Sequence, residues 1–292
     1  MIRRRPGRFC RGALGLKLLT VVALMASAMA QTPKARLPKS LRLYVFDCGS
    51  LAIPDTAPYQ LKKEELATSK MSVACFLVAH PKGLMMWDTG AAPDTAFKPG
   101  GGPATLRYAT STKSLTSQLA EVGYTPSDIT YLALSHFHWD HVGNANLFAD
   151  ATWLVPQSER DIMFKEPLSP RTEPANFSAL KNSKTIIIDK EKYDVFGDRS
   201  VIILSAPGHS PGHQVLYLKL AKTGPVVLSG DLYHYPEERQ RGLVPTSEFN
   251  RDQSVKSRAA IEAFLKETGA QLWIQHDFTA NAKLKKAPQF YE

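Results

Sequence analysis

Apolar residues recur along the chain in runs of four to eight, the length of strands rather than of long helices. Leu41 to Cys48 (LRLYVFDC), Ser72 to Ala79 (SVACFLVA) and Gly83 to Trp87 (GLMMW) predict three strands, the last running into Asp88-Thr89-Gly90. Residues 91–113 are rich in Gly, Pro, Ala and Thr and read as a long loop. Ser114 to Gly123 has the spacing of a short helix, with Ser114 as N-cap and Gly123 just past the end. Ser127 to Ser135 (SDITYLALS) then predicts another strand.

The second half repeats this grammar. Ala151 to Gln157 predicts a strand, Ser158 to Lys165 a helix, and Pro167 to Pro174 a loop. Four strands follow by their Val, Ile and Leu content: TIIID, SVIILSAPG, QVLYLKL and PVVLSGD. Ser254 to Thr268 is the clearest helix, with apolar residues at 255, 259, 261, 264 and 265, and QLWIQHD closes as a strand. Strands followed by helices in each half predict an α/β protein, one domain of two similar halves in which sheets pack against helices.

The first thirty residues break the pattern. Arg3, Arg4, Arg5, Arg8, Arg11 and Lys17 precede the apolar run Leu18 to Met29, and Ala28 and Ala30 supply an A-x-A cleavage site. This is the composition of a secretory signal peptide over residues 1–30, followed by a flexible lead-in over 31–40 and the main domain over 41–292. The apolar stretch is short for a membrane span, so no stable membrane anchor is expected after cleavage, and the mature protein would be periplasmic or secreted. Removing the segment also changes the charge. The chain is +9, but six of its 36 Lys and Arg residues and none of its 27 Asp and Glu residues lie before residue 31, which leaves +3. That balance argues little for a nucleic-acid partner, and none is expected; the partner expected is a small-molecule substrate.

Three cysteines are present, and Cys10 leaves with the leader. Cys48 and Cys75 each lie in an apolar run. Export would permit a disulfide, but the expectation from composition is two separate, small buried hydrophobes.

The chemistry concentrates in Ser135 to Asn144 (SHFHWDHVGN), where three of eight histidines, His136, His138 and His141, accompany Asp140. His136 and His138 are two apart and point to one side on extended backbone. Imidazole with carboxylate suits zinc, iron, manganese or cobalt, and packing alone gives no reason for such a cluster. Downstream, SAPGHSPGH brings His209 and His213, VVLSGD ends in Asp231, and LWIQHD contains His276. These residues, like Asp88 and His136, stand at or just past the ends of strand-like runs, where ligand sites of α/β proteins gather.

The motifs WDTG, HFHWDH, PGHSPGH, SGD and the terminal QHD together resemble the metallo-β-lactamase superfamily, in its binuclear branch, over residues 41 to 292. The resemblance implies a four-layer αββα sandwich with the metal site at the strand ends. It implies two divalent ions, zinc first among the candidates: His136, His138 and His209 on one, Asp140, His141 and His276 on the other, and Asp231 between them. Asp88 would orient the ligand loop from below, and His213 would support it. A metal-bridging hydroxide would attack a carbonyl, with Asp140 as proton shuttle.

Among the branches, the sequence is most similar to the quorum-quenching N-acyl-homoserine lactonases, through LYVFDCG, the strand-end DTG and the IQHD ending. Asp231 weighs against the secreted β-lactamases, which lack the bridging aspartate. The short tail after His276 weighs against hydroxyacylglutathione hydrolases, whose extra helical domain is missing, although HFHWDH is shared with them. A metal-binding protein without catalysis is the remaining alternative. The lactonase branch places a tyrosine three residues after the bridging aspartate, against the lactone carbonyl. Here that position is His234, flanked by Tyr233 and Tyr235, so these three become the candidate carbonyl donors. Leu51 to Tyr59 and Phe148 to Met163 offer apolar residues for an acyl pocket, and the branch also suggests a homodimer.

Overall fold

The computed structural model describes residues 36–292 and, before them, Met1, Ile2 and Gly7. The predicted signal peptide and most of the lead-in therefore lie outside the described residues. The chain runs β1 (Arg42–Ala52), β2 (Lys70–His80), β3 (Gly83–Trp87), β4 (Ala104–Leu106), β5 (Ala109–Ser111), α1 (Leu115–Glu121), β6 (Tyr131–Ala133), β7 (Thr152–Val155) and α2 (Gln157–Phe164). It continues through β8 (Thr185–Ile187), β9 (Lys192–Asp194), β10 (Val201–Ser205), β11 (Gln214–Leu220), β12 (Gly224–Leu228), α3 (Pro236–Arg241) and α4 (Arg251–Thr268). Last come β13 (Gln271–Trp273), α5 (Phe278–Lys283) and β14 (Phe290–Tyr291).

The strands form two sheets. One has the order β4-β5-β1-β2-β3-β6-β7-β8, with β14 also on β1, and the other the order β13-β12-β11-β10-β9. Period-two alternation decides the layers. In β1, Leu43 and Val45 face the second sheet, while Tyr44 and Phe46 face the helix side. In β2, Ala74, Phe76 and Val78 point between the sheets, and Val73, Cys75, Leu77 and Ala79 point to the layer holding Leu115, Leu119 and Met163 of α1 and α2. In β11, Leu216 and Leu218 meet the first sheet, whereas Val215 and Tyr217 lie under Ile261 and Leu265 of α4. Each sheet is covered on both faces, which explains the unbroken apolar runs of β2 and β11. The result is the four-layer αββα arrangement.

Sequence patterning located most of this. Predicted strands at 83–87 and 214–220 match β3 and β11, and Ser114 caps α1 by accepting from the Ser117 amide. The 91–113 loop instead holds the β4-β5 hairpin, which pairs with β1. Helix α4 begins three residues before the predicted start, because Asn250 accepts from the Gln253 amide and caps it there. No helix among the described residues is long and apolar enough to cross a membrane.

The expectation of two separate thiols is corrected: Cys48 and Cys75 form a disulfide. The register of β1 against β2 shifts between Asp47 and Ser50, and this irregularity brings Cys48 beside its partner, with Cα atoms 5.9 Å apart. The bridge lies under Gly90, where a Cβ would stand 2.9 Å from that of Cys48, so the turn after Asp88 rests directly on it. It closes a segment of 27 residues. Replacing both cysteines by alanine is expected to lower unfolding stability by about 3 kcal/mol. Denaturant titration checks this, and equal midpoints for oxidised wild type and variant would contradict it.

Candidate metal centre

Each candidate ligand stands on a loop leaving the end of a strand: His136 to His141 after β6, His209 after β10, Asp231 after β12 and His276 after β13. The folding of both halves brings them into two groups, His136, His138, His209 and Asp231 in one, Asp140, His141 and His276 in the other. Within each group one ligand atom per residue lies within 4.8 Å of every other, and all seven residues are buried.

Asp231 spans the groups. Its Oδ2 lies 3.2 Å from His209 Nε2 and 3.6 Å from His136 Nε2. Its Oδ1 lies 3.0 Å from His141 Nε2 and 3.1 Å from His276 Nε2. Asp140 Oδ2 stands 3.6 Å from His276 Nε2 and 3.8 Å from His141 Nε2. Burial disfavours the charged form of Asp231, but His276, His141, His136 and His209 hold its carboxyl well below the usual range. His136 and His138 are pushed below the ordinary imidazole value, chiefly by burial. His141 goes the other way, because Asp231, Asp88 and Asp140 outweigh the effect of burial.

The outward nitrogens are fixed by oxygen partners, as metal ligands require. His276 Nδ1 donates to the Ser72 carbonyl at 2.7 Å, His141 Nδ1 to Asp88 Oδ2 at 2.9 Å, and His209 Nδ1 to Glu248 Oε1 at 3.1 Å. In the neutral ring a proton on Nδ1 leaves the Nε2 lone pair facing inward, as a bound cation requires. His141 Nε2 and Asp231 Oδ1 are buried without a hydrogen-bond partner. His138 Nδ1 also faces His136 Nε2 at 2.8 Å and His209 Nε2 at 2.9 Å. Nitrogen and carboxylate donors crowded this closely, with orphaned atoms among them, fit cations at both positions.

Asp88 lies beneath, buried, in the left-handed region at φ 55°. Its Oδ1 accepts from the Ser135 amide at 2.6 Å; Oδ2 accepts from the Ser135 hydroxyl at 2.9 Å, His141 Nδ1, and Gln275 Nε2 at 2.7 Å. One carboxylate thus fixes the start of the histidine loop, a ligand within it, and the residue before His276. His213 has a supporting place: Nδ1 donates to the Ala206 carbonyl and Nε2 accepts from the Asp231 amide, while burial lowers its pKa to about 4.

Glu159 has no counterpart in the sequence reading. It is buried on α2, where Oε1 accepts from the Phe137 amide at 2.7 Å. Its Oε2 accepts from the Ser210 hydroxyl at 2.7 Å and the Gly212 amide at 2.8 Å. Gly212 permits the approach, since a Cβ there would lie 2.7 Å from that of Glu159. The carboxylate ties both ligand loops to one helix, and burial raises its pKa to about 7. A glutamate in a short helix reads as solvated, so no local signal marks it.

A cavity of about 320 Å³ opens over Asp231, His138, His209, Asp140 and His276. His234 lines it, with Nε2 3.3 Å from Asp231 Oδ2 and Nδ1 3.3 Å from Glu238 Oε1. Burial works against its charged form, but Glu238 and Asp231 together raise its pKa to about 10. Tyr233 and Tyr235 are not brought to the cavity, which corrects their candidacy. The Tyr233 hydroxyl donates to Glu262 beneath α4, and that of Tyr235 donates to the Ser69 carbonyl. The acyl-pocket expectation divides likewise. Leu51, Ile53, Pro54 and Tyr59 line the cavity, but Phe148 and Met163 are buried in the core on the helix side of the first sheet.

Fold and site define a class: the chain matches the metallo-beta-lactamase superfamily over residues 69–270 and belongs to it. Among curated relatives it is similar to the N-acyl homoserine lactonase AttM of Azorhizobium caulinodans, 28% identical over 269 residues, covering 86% of this chain and 99% of that one. Among solved structures it resembles a quorum-quenching N-acyl homoserine lactone lactonase, with TM-score 0.72 at 23% identity, over 87% of this chain and 100% of the other. It also resembles AidC, a dizinc quorum-quenching lactonase, with TM-score 0.63 at 21% identity, over 88% and 95% of the two chains.

Glu159→Gln would set an amide N–H against one of the donors that its carboxylate accepts, and so loosen both ligand loops. Metal affinity is expected to fall about 10- to 100-fold. Competition with a chelator measures it, and unchanged affinity would contradict the clamp.

Proposed function

We propose that the protein is a binuclear, zinc-dependent hydrolase that opens the lactone ring of N-acyl-homoserine lactones. The observation that carries this reading is Asp231, whose two carboxylate oxygens face separate groups of buried nitrogen ligands. The likeness to N-acyl homoserine lactonase AttM over nearly its whole length supports the choice of substrate. The dizinc description of AidC supports the choice of ion.

Divalent ions held there would lower the pKa of bound water from near 16 towards ~7 and polarise a carbonyl, which is the chemistry lactone opening needs. The protein's own groups do the rest. His136, His138 and His209 would hold one ion and Asp140, His141 and His276 the other, with Asp231 shared. Asp140 accepts no hydrogen bond from a described residue and lines the cavity, so it can carry a proton to the departing ring oxygen. Leu51, Ile53 and Pro54 offer an apolar wall for the acyl chain. His234 closes the cavity beside Asp231. The basic leader and the Cys48–Cys75 bridge support a periplasmic or secreted location, where a disulfide persists.

The purified protein is expected to open N-hexanoyl-homoserine lactone and to leave a chromogenic cephalosporin intact. Chelation, His138→Ala and Asp231→Asn should each cut the lactone rate by about 10³-fold or more, through loss of ion-supplied stabilisation worth several kcal/mol. Rapid cephalosporin turnover with no lactone opening would overturn the substrate. Full activity in variants that have lost metal would overturn the mechanism.

A further inference from the structure

Among the hydrogen-bonding aromatic residues around Asp231, those next to it in the chain point their donors at protein oxygens. Both ring nitrogens of His234 face carboxylates, and the hydroxyls of Tyr233 and Tyr235 are held by Glu262 and the Ser69 carbonyl. Tyr59 comes from a different part of the chain, the segment between β1 and β2. It lines the same cavity as Asp231, Asp140 and His276, and its hydroxyl makes no hydrogen bond to a described residue. Its ring packs 4.9 Å from that of His234 and edge-on to that of Tyr235 at 5.2 Å.

The turn that presents Tyr59 is held from both sides. The Tyr59 amide donates to the Thr56 carbonyl at 3.0 Å, and the Thr56 hydroxyl donates to the Leu61 carbonyl at 2.7 Å. Gln60 adopts the left-handed region at φ 59°, which a non-glycine residue keeps only where surrounding contacts enforce it. The Gln60 side-chain amide donates to the Val244 carbonyl, and the Thr246 amide to the Pro58 carbonyl at 2.8 Å. A strained, doubly anchored turn beside a cavity is where positioned functional groups collect. Burial raises the phenol's pKa, and the nearby Tyr235, Asp231, Asp140 and Glu238 raise it further, so the hydroxyl keeps its proton.

We propose that Tyr59 is a catalytic residue whose hydroxyl donates a hydrogen bond to the substrate's carbonyl oxygen as negative charge develops there. It supplies from the β1-β2 segment a donor that faces no carboxylate, whereas both ring nitrogens of His234 face one, Nε2 at 3.3 Å from Asp231 and Nδ1 at 3.3 Å from Glu238. The proposal rests on the reading of the site as a carbonyl hydrolase, and needs no particular leaving group.

Steady-state kinetics of Tyr59→Phe test it, since phenylalanine keeps the ring packing and removes only the donor. Removing one such donor is expected to lower kcat about 100-fold, with KM and metal content close to wild type. Tyr59→His restores an N–H donor and is expected to recover part of the loss. A Tyr59→Phe enzyme within threefold of wild-type kcat would overturn the proposal, as would a loss confined to KM or equal kcat in the two variants. If the phenylalanine variant does not fold, wild type and Tyr59→His decide alone: a histidine variant that folds and binds metal yet loses as much kcat as that donor is worth overturns it. Wild type that opens no lactone refutes the lactonase reading instead, and Tyr59 is then judged on the ester or thioester that it does hydrolyse.

Discussion

A single buried carboxylate organises this site. Asp88 leaves β3 in a left-handed conformation, and its two oxygens accept from Ser135, His141 and Gln275. Those partners belong to the loop after β6 and the turn after β13, one from each sheet. An unpaired carboxylate in such a place would be costly, so the hydrogen bonds and the placement of both loops are one requirement. The Cys48–Cys75 bridge lies under the adjoining turn at Gly90 and gives it a covalent floor. From the other side, Glu159 fastens the histidine loop to the loop bearing His209.

Above that foundation the charges are set against each other at close range. Five imidazole nitrogens approach Asp231 within 3.6 Å, those of His136, His209 and His234 at one oxygen and those of His141 and His276 at the other, all on buried residues. Rings whose outer nitrogens are spent on Ser72, Asp88 and Glu248 can only turn lone pairs inward. Such an arrangement is unfavourable without cations and strongly favourable with them, so metal binding and the final rigidity of these loops belong to one equilibrium.

Much of this was legible in the sequence for physical reasons. A strand buried on both faces reads as an unbroken apolar run, so β2, β3 and β11 declared themselves, and the ligands stood directly after such runs. Of the residues that hold the ligands, Asp88 and His213 were read through the family resemblance, but the two glutamates were not legible. Glu159 lies 22 residues from the amide it accepts, and Glu248 lies 39 from His209. Neither carries a local pattern, because its meaning arises only when the halves meet. Tyr233 and Tyr235 misled for the same reason. Their spacing beside His234 was right, but packing turned one under α4 and the other towards Ser69. The disulfide also depended on a register shift in β1 that alternation alone does not reveal.

The central claim is that the buried donors form two cation positions sharing Asp231. Calorimetric titration of chelator-stripped protein with zinc measures this directly. Two equivalents per chain, bound with proton release as ligands shed protons, are predicted. Saturation at a single equivalent, or no binding at neutral pH, would contradict the account.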